Sequence, residues 1–264
     1  MILVANYQIG CFCRPWNKLN LDEFLAGAAG AGYEYAGFMR LQGDLVVKPG
    51  ITQDDVRSLG DALTRHGLKP STAIVGHNLA QGVGAAVQEA CEFVDAMAAC
   101  GVDYYLSCGT ADEAQYDDLY AVLREACCYA RDKGVTITLK PHGGISATIL
   151  DLIRAVERVD HASFGIYFDP GNIIYYTGGD PLADLGDLAP HVVGICVKDS
   201  LGGHKGDVNL EPGVGDVDFP AVFAALKASD IAGPVCVECL GGEAPADINA
   251  RATRVRQRID GWLA

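Results

Sequence analysis

The sequence predicts an α/β fold, a single (β/α)8 barrel over residues 1–264. Three observations carry that reading. Short β-rich runs alternate with amphipathic runs along the whole chain, and the alternation occurs eight times. The mean spacing of the β runs is about 33 residues, which suits one strand, one helix and their loops. No Pro/Ser linker, low-complexity tract or charge run interrupts the pattern, so nothing marks a second domain.

In chain order the predicted strands are Leu3–Gln8, Tyr35–Met39, Ser71–Val75, Tyr104–Ser107, Thr136–Lys140, Phe164–Asp169, Val192–Lys198 and Pro234–Glu238. Helices fall between them at Leu21–Ala29, Asp54–His66, Ala85–Cys100, Tyr116–Lys133, Thr148–Val159, a short one from Pro181, Phe219–Ala228 and Pro245–Leu263. Asp or Thr stands at several helix starts, where a side-chain oxygen accepts from a free N–H. Gly follows several ends, where the chain turns through a left-handed residue. No helix is expected over DPGN at 169–172, where a turn is the alternative to a substrate contact by Asn172.

The last four strands test the barrel, because successive side chains of a strand face opposite sides. One set is apolar and suits a helix ring: Ile137 and Leu139; Phe164, Ile166 and Phe168; Val193, Ile195 and Val197; Val235 and Val237. The other set is Thr136, Thr138 and Lys140; Gly165, Tyr167 and Asp169; Gly194, Cys196 and Lys198; Cys236 and Glu238, with the charged member last on each strand. A doubly wound sheet would bury apolar residues on both faces of its central strands, so this pattern favours the barrel. Charge then gathers at the rim of C-terminal strand ends, where such barrels carry their chemistry.

Composition excludes several classes. Twenty Lys and Arg against 34 Asp and Glu give a net charge of −14, so no nucleic-acid partner is expected. No stretch approaches the roughly 18 apolar residues of a membrane span, and MILVANYQIG carries no basic leader; a cytoplasmic protein without membrane partners is expected. The 10 cysteines do not suit a small secreted disulfide scaffold and are expected to be reduced, most of them buried. Cys11/Cys13 and Cys236/Cys239 lack the second knuckle of a zinc ribbon and the helix start of a redox pair.

The rim collects Lys140 and His142 from TLKPHGG, Asp169 and Asn172 from YFDPGN, Cys196 and Lys198 from ICVKDS, and Glu238 from CVECLGG. Buried charges of this kind must pair with one another, with a ligand or with a metal. His77 ends the third strand and is a further wall candidate, with Asn6, Tyr7, Gln8 and Arg40 behind it.

With VKD at 197–199, PGVGDVDF at 212–219 and VECL at 237–240 added to these motifs, nearly the whole chain resembles the xylose-isomerase-like barrels. That family includes tagatose and psicose epimerases, hydroxypyruvate isomerases and inosose dehydratases. The resemblance implies a small sugar-like substrate and one divalent metal held by Glu, Asp, His and Glu at the ends of strands five to eight. Those places here hold Lys140, Asp169, Cys196 and Glu238. A protonated Lys140 cannot ligate, and Cys196 is a soft thiol where Mn or Mg prefers oxygen or nitrogen. The expectation is therefore no metal, with the Lys140 ammonium in the cation's place. The alternatives are a zinc site of His142, Asp169, Cys196 and Glu238, or a Mn or Mg site.

The same resemblance makes Glu238 the proton-transfer base, with Lys140 or His142 as its partner and Lys140 as electrophile. Asn172, Lys198, Asp169 and His77 are expected to contact substrate, while Asp199 orders the following loop. The expected reaction is isomerisation or epimerisation of a keto-sugar or related polyol by proton transfer next to a carbonyl. A keto-sugar or cyclitol dehydratase on the same site and a non-catalytic sugar-binding barrel are the alternatives. A Schiff-base aldolase is disfavoured by the carboxylates beside Lys140, and an apurinic endonuclease by the charge of −14. The sequence departs from the family at Gly37 and Val214, where relatives carry polar residues. Barrels of this kind assemble as dimers or tetramers, so a homo-oligomer is an open expectation.

Overall fold

In the computed structural model, residues 7–228 and 232–264 are described. Eight parallel strands close a barrel: β1 (Tyr7–Phe12), β2 (Tyr35–Phe38), β3 (Lys69–Val75), β4 (Tyr104–Ser107), β5 (Thr136–Leu139), β6 (Phe164–Phe168), β7 (Val192–Val197) and β8 (Gly233–Val237). Closure is the pairing of β1 with β8, from Tyr7↔Gly233 to Cys11↔Val237. Around the barrel lie α1 (Leu21–Gly30), α2 (Gln53–His66), α3 (Val83–Cys100), α4 (Tyr116–Ala130), α5 (Ile149–Val159), α6 (Pro170–Thr177), α7 (Leu185–Leu188), α8 (Phe219–Lys227) and α9 (Pro245–Leu263). Among the described residues no helix is long and apolar enough to cross a membrane.

Local chemistry sets most boundaries. Reciprocal capping boxes open α1 at Asn20/Glu23, α2 at Thr52/Asp55 and α5 at Thr148/Asp151. Two expectations need correction. DPGN is the start of a helix rather than a turn alone: Asp169 accepts from the Asn172 N–H and Pro170 takes the first helical position of α6. Among the described residues the first strand is Tyr7–Phe12, which runs past the predicted end at Gln8 because Gly10, Cys11 and Phe12 pair with β2. Residues 3–6 of the expected strand, Asn6 included, lie outside the described residues.

The two faces of the strands build two cores. Ile137, Leu139, Ile166, Phe168, Ile195, Val197, Val235 and Val237 belong to the large core between barrel and helices. Phe12, Leu106, Tyr167, Cys196 and Cys236 form a separate cluster inside the barrel, joined by Met39 and Ile74. Val193 departs from the outer set: at a register shift between β6 and β7 its methyl groups lie over Gly165. Gly37 also has a steric reason, since a Cβ there would stand 2.5 Å from the Phe12 ring. The phenyl group fills the space that a polar side chain on β2 would occupy. The interior below the mouth is thus filled by side chains, and charge begins only at the strand ends.

Candidate active site

The ends of β5 to β8 bring four side chains together. Lys140 follows β5, Asp169 follows β6 as the N-cap of α6, Cys196 is in β7 and Glu238 follows β8. All four are at most 2 % exposed. The Lys140 Nζ lies 3.0 Å from Asp169 Oδ2 and 3.9 Å from Cys196 Sγ, and it donates to Glu238 Oε2. Cys196 Sγ donates to the same Glu238 oxygen at 3.1 Å.

Glu238 carries two further cations. Lys198 Nζ reaches Oε1 at 3.3 Å, and Arg14 NH1 reaches it at 2.5 Å. Burial alone would favour the neutral acid, but Lys140, Lys198 and Arg14 outweigh it and hold the carboxyl well below the usual range. Burial likewise favours a neutral Lys140 amine. It is outweighed by the carboxyl groups of Glu238 and Asp169, so the ammonium persists well above its ordinary pKa. Burial, with Asp169 and Glu238 beside it, pushes the Cys196 thiol well up. The centre is thus the Lys140 ammonium held against the Glu238 carboxylate, with Asp169 3.0 Å away and the Cys196 thiol beside it.

That arrangement decides the fit of a divalent metal. Asp169, Cys196 and Glu238 offer donor atoms within 4.8 Å of one another. All three already face the Lys140 ammonium, and the thiol holds its proton. A metal there would sit against the Lys140 ammonium, and the Cys196 sulfur would have to give up its proton to bind it. His142, the fourth donor of the expected zinc site, lies outside the triad. The residues as they stand do not fit the metal.

His142 is an exposed side chain at the rim, its ring nitrogens 3.3 Å from the Tyr176 hydroxyl. Desolvation, then Lys140 and Lys198, push its pKa down to about 4, so the imidazole is neutral. His77 Nε2 lies 2.8 Å from Ser107 Oγ at the end of β4, away from the charged cluster, and desolvation also pushes it down to about 4. Asn172 donates from Nδ2 to the Pro141 carbonyl at 2.7 Å, fixing the loop that carries His142, and its buried Oδ1 has no partner among the described residues.

Two packing devices set Lys198 and the loop beyond it. The Gly171 Cα sits so close to β7 that a Cβ would stand 2.4 Å from the Lys198 carbonyl, so the first turn of α6 buttresses the lysine. Asp199 accepts backbone N–H bonds from Ser200 and Val217 at Oδ1 and from Gly213 and Gly215 at Oδ2. This aspartate orders the 213–217 loop.

Arg14 was not among the residues the sequence singles out for the site. It lies on a 3₁₀ turn (Arg14–Trp16) just beyond β1, 224 positions from the carboxylate it contacts. Its only sequence signal is a basic residue just past a strand end in CRPW, readable once β1 is placed correctly. Arg14 separates two cavities at the mouth. One, of about 330 Å³, is bounded by Glu238, Cys239, Lys18 and Glu243; the other, of about 380 Å³, by Met39, Arg40, Leu45 and Ile74.

Comparison with known proteins agrees with this architecture. The family model described as Xylose isomerase-like TIM barrel matches residues 25–263. The chain is 26 % identical over 253 residues to an L-ribulose 3-epimerase of Methylomonas sp. (strain DH-1), covering 86 % of this chain and 81 % of that one. It is 26 % identical over 147 residues, 49 % of each chain, to an inosose dehydratase of Clostridium beijerinckii. The crystal structure of D-allulose 3-epimerase from Methylomonas sp. in complex with D-allulose has a TM-score of 0.77 at 20 % identity over 97 % of both chains. The probable 3-DHS dehydratase AsbF from Bacillus anthracis has a TM-score of 0.76 at 13 % identity, over 95 % of this chain and 99 % of that one.

Proposed function

The chain belongs to the Xylose isomerase-like TIM barrel family, and we propose that it moves a proton next to the carbonyl of a keto-sugar or related polyol, as an isomerase or epimerase, with the Lys140 ammonium in place of a metal. The observation that carries this reading is the position of Lys140 Nζ, in contact with Asp169, Glu238 and Cys196 at once. The epimerase and dehydratase relatives support the sugar isomerase/epimerase or dehydratase class.

The chemistry follows from the charges. A substrate carbonyl oxygen entering the mouth accepts hydrogen bonds from Lys140 and Lys198, and each one it takes is drawn away from Glu238. The carboxylate, a weak base while three cations hold it, regains basicity as the substrate binds. Glu238 removes the proton on the carbon next to the carbonyl, and the ammonium groups stabilise the enediolate oxygen. Return of a proton to the neighbouring carbon gives isomerisation; return to the opposite face of the same carbon gives epimerisation. The neutral His142 at the rim is the second proton carrier. Asp169 keeps Lys140 charged and aimed.

A second reading, dehydration, uses the same enediolate and expels a hydroxyl from the next carbon, with Lys140 as the acid. It is supported by the dehydratase relatives and by the presence of one catalytic glutamate rather than two.

The test is incubation with ketoses and inososes in deuterated water, followed by NMR and mass spectrometry. The proposal expects deuterium at the carbon next to the carbonyl without change of mass otherwise; loss of one water assigns the dehydratase reading. Lys140→Met is expected to lower the rate about 10²–10³-fold, the effect of removing one oxyanion donor. Added Mn or Zn should not restore it. Activity that disappears on chelation and returns with a metal overturns the lysine mechanism.

A further inference from the structure

The mouth holds more positive charge than its own carboxylates neutralise. Lys140, Lys198 and Arg14 all contact Glu238, and Asp169 is the second carboxylate of the cluster, so three cations face two anions. Arg40 adds another cation on the same side, where it lines the cavity of about 380 Å³ with Arg14. The rest of that cavity's side-chain wall is Asn17, Met39, Leu45 and Ile74, and no carboxylate lines it among the described residues. Its neighbour of about 330 Å³ is balanced, with Lys18 and Arg14 set against Glu238 and Glu243.

The positively lined cavity adjoins the catalytic groups through Arg14, which lines it and contacts Glu238. Met39 and Ile74 pack on the interior cluster that contains Cys196, and Arg14 is bonded to Glu238. In a protein of net charge −14 a local excess of cations runs against composition. Lys140 and Lys198 are buried and already paired, whereas Arg14, 39 % exposed, and the exposed Arg40 keep N–H groups that an incoming anion can reach. Arg14 offers N–H groups beyond the one used by Glu238, in the fork geometry that suits a carboxylate or phosphate.

We propose that the substrate is an acidic keto compound whose carboxylate or phosphate is held by Arg14 and Arg40 in this cavity, while its carbonyl meets Lys140. The carbonyl end of the proposal rests on the proton-transfer reading above; the acidic end rests on the charge balance and the cavity. Arg14 and Arg40 are then specificity residues, selecting the charged over the neutral sugar.

Calorimetric titration of the full chain at low salt with D-fructose, ketogluconate and fructose carrying a terminal phosphate tests the idea. One acidic compound is expected to bind about ten- to a hundredfold more tightly than D-fructose, the range of charge-assisted hydrogen bonds. Which acid wins separates carboxylate from phosphate. The variants R14Q and R40Q should each reduce the acid-to-neutral ratio, and R14K should retain part of it. Equal binding of all three compounds, absence of acid binding at low-millimolar concentration, or equal losses for acid and neutral compounds in both Gln variants would overturn the proposal. The titration needs no turnover. Acid-selective binding without deuterium uptake breaks the proton-transfer reading alone; uptake into a neutral ketose without acid preference breaks this one alone.

Discussion

Glu238 and Glu211 are both clasped by basic side chains, and they play different parts. Glu211 accepts from Arg254 at 3.1 and 2.8 Å and lies 2.8 Å from Arg258, so it ties the 207–217 loop to α9. Those arginines are 48 % and 32 % exposed, whereas the lysines on Glu238 are 1 % and 5 % exposed. Solvent reaches both arginine partners of Glu211. Around Glu238 only Arg14, 39 % exposed, reaches solvent, so the charges of the two buried lysines must be balanced by another protein group or by a ligand. The same motif is an anchor at the surface and a reactive centre in the barrel mouth.

The largest effect expected from this contrast is on stability at the mouth. Glu238→Gln leaves Lys140, Lys198 and Arg14 without their shared counter-charge and should cost about 3–5 kcal/mol, the penalty for breaking a buried ion pair from one side. The urea midpoint of the variant measures it; a loss under about 1 kcal/mol would mean that water reaches the cluster and that the contrast with Glu211 is false.

A smaller effect extends the comparison to neutral groups. His77 titrates at about 4 in the folded chain, because burial disfavours its charged form, against an ordinary value of 6.5. Between those values the unfolded chain binds a proton that the folded one refuses, so stability falls as pH drops through the window and levels off below it. His77→Asn should flatten that part of the stability–pH curve relative to the parent. An unchanged slope would place water at the ring.

The smallest effect belongs to Glu211→Gln. Its exposed partners limit the loss to about 1 kcal/mol or less, with no change in the rate of any turnover. A loss as large as that of Glu238→Gln would show that burial of the partners does not distinguish the two clusters.

Much of this was legible along the chain. The barrel follows from strand and helix periods, which depend on near neighbours only. The gathering of Lys140, Asp169, Lys198 and Glu238 at one rim follows from the two-residue alternation of strands. Asp199 as the organiser of its loop was readable from its place in VKDS. Val193 was not, because a register shift moves it across the sheet. The helix at Pro170 was hidden behind residues that serve turns and helix starts alike.

By itself, then, the sequence determined the (β/α)8 architecture and the four strand ends that carry charge, since both arise from periodicities a few residues long. Only the tertiary structure decided that Lys140 occupies the centre of the triad, that His142 stands apart on Tyr176, and that Arg14 closes on a carboxylate 224 positions away. Such facts depend on barrel closure between β1 and β8, which makes the first loop a neighbour of the last strand. No local pattern encodes that distance, and the energetics of burying charge at the mouth turn on it.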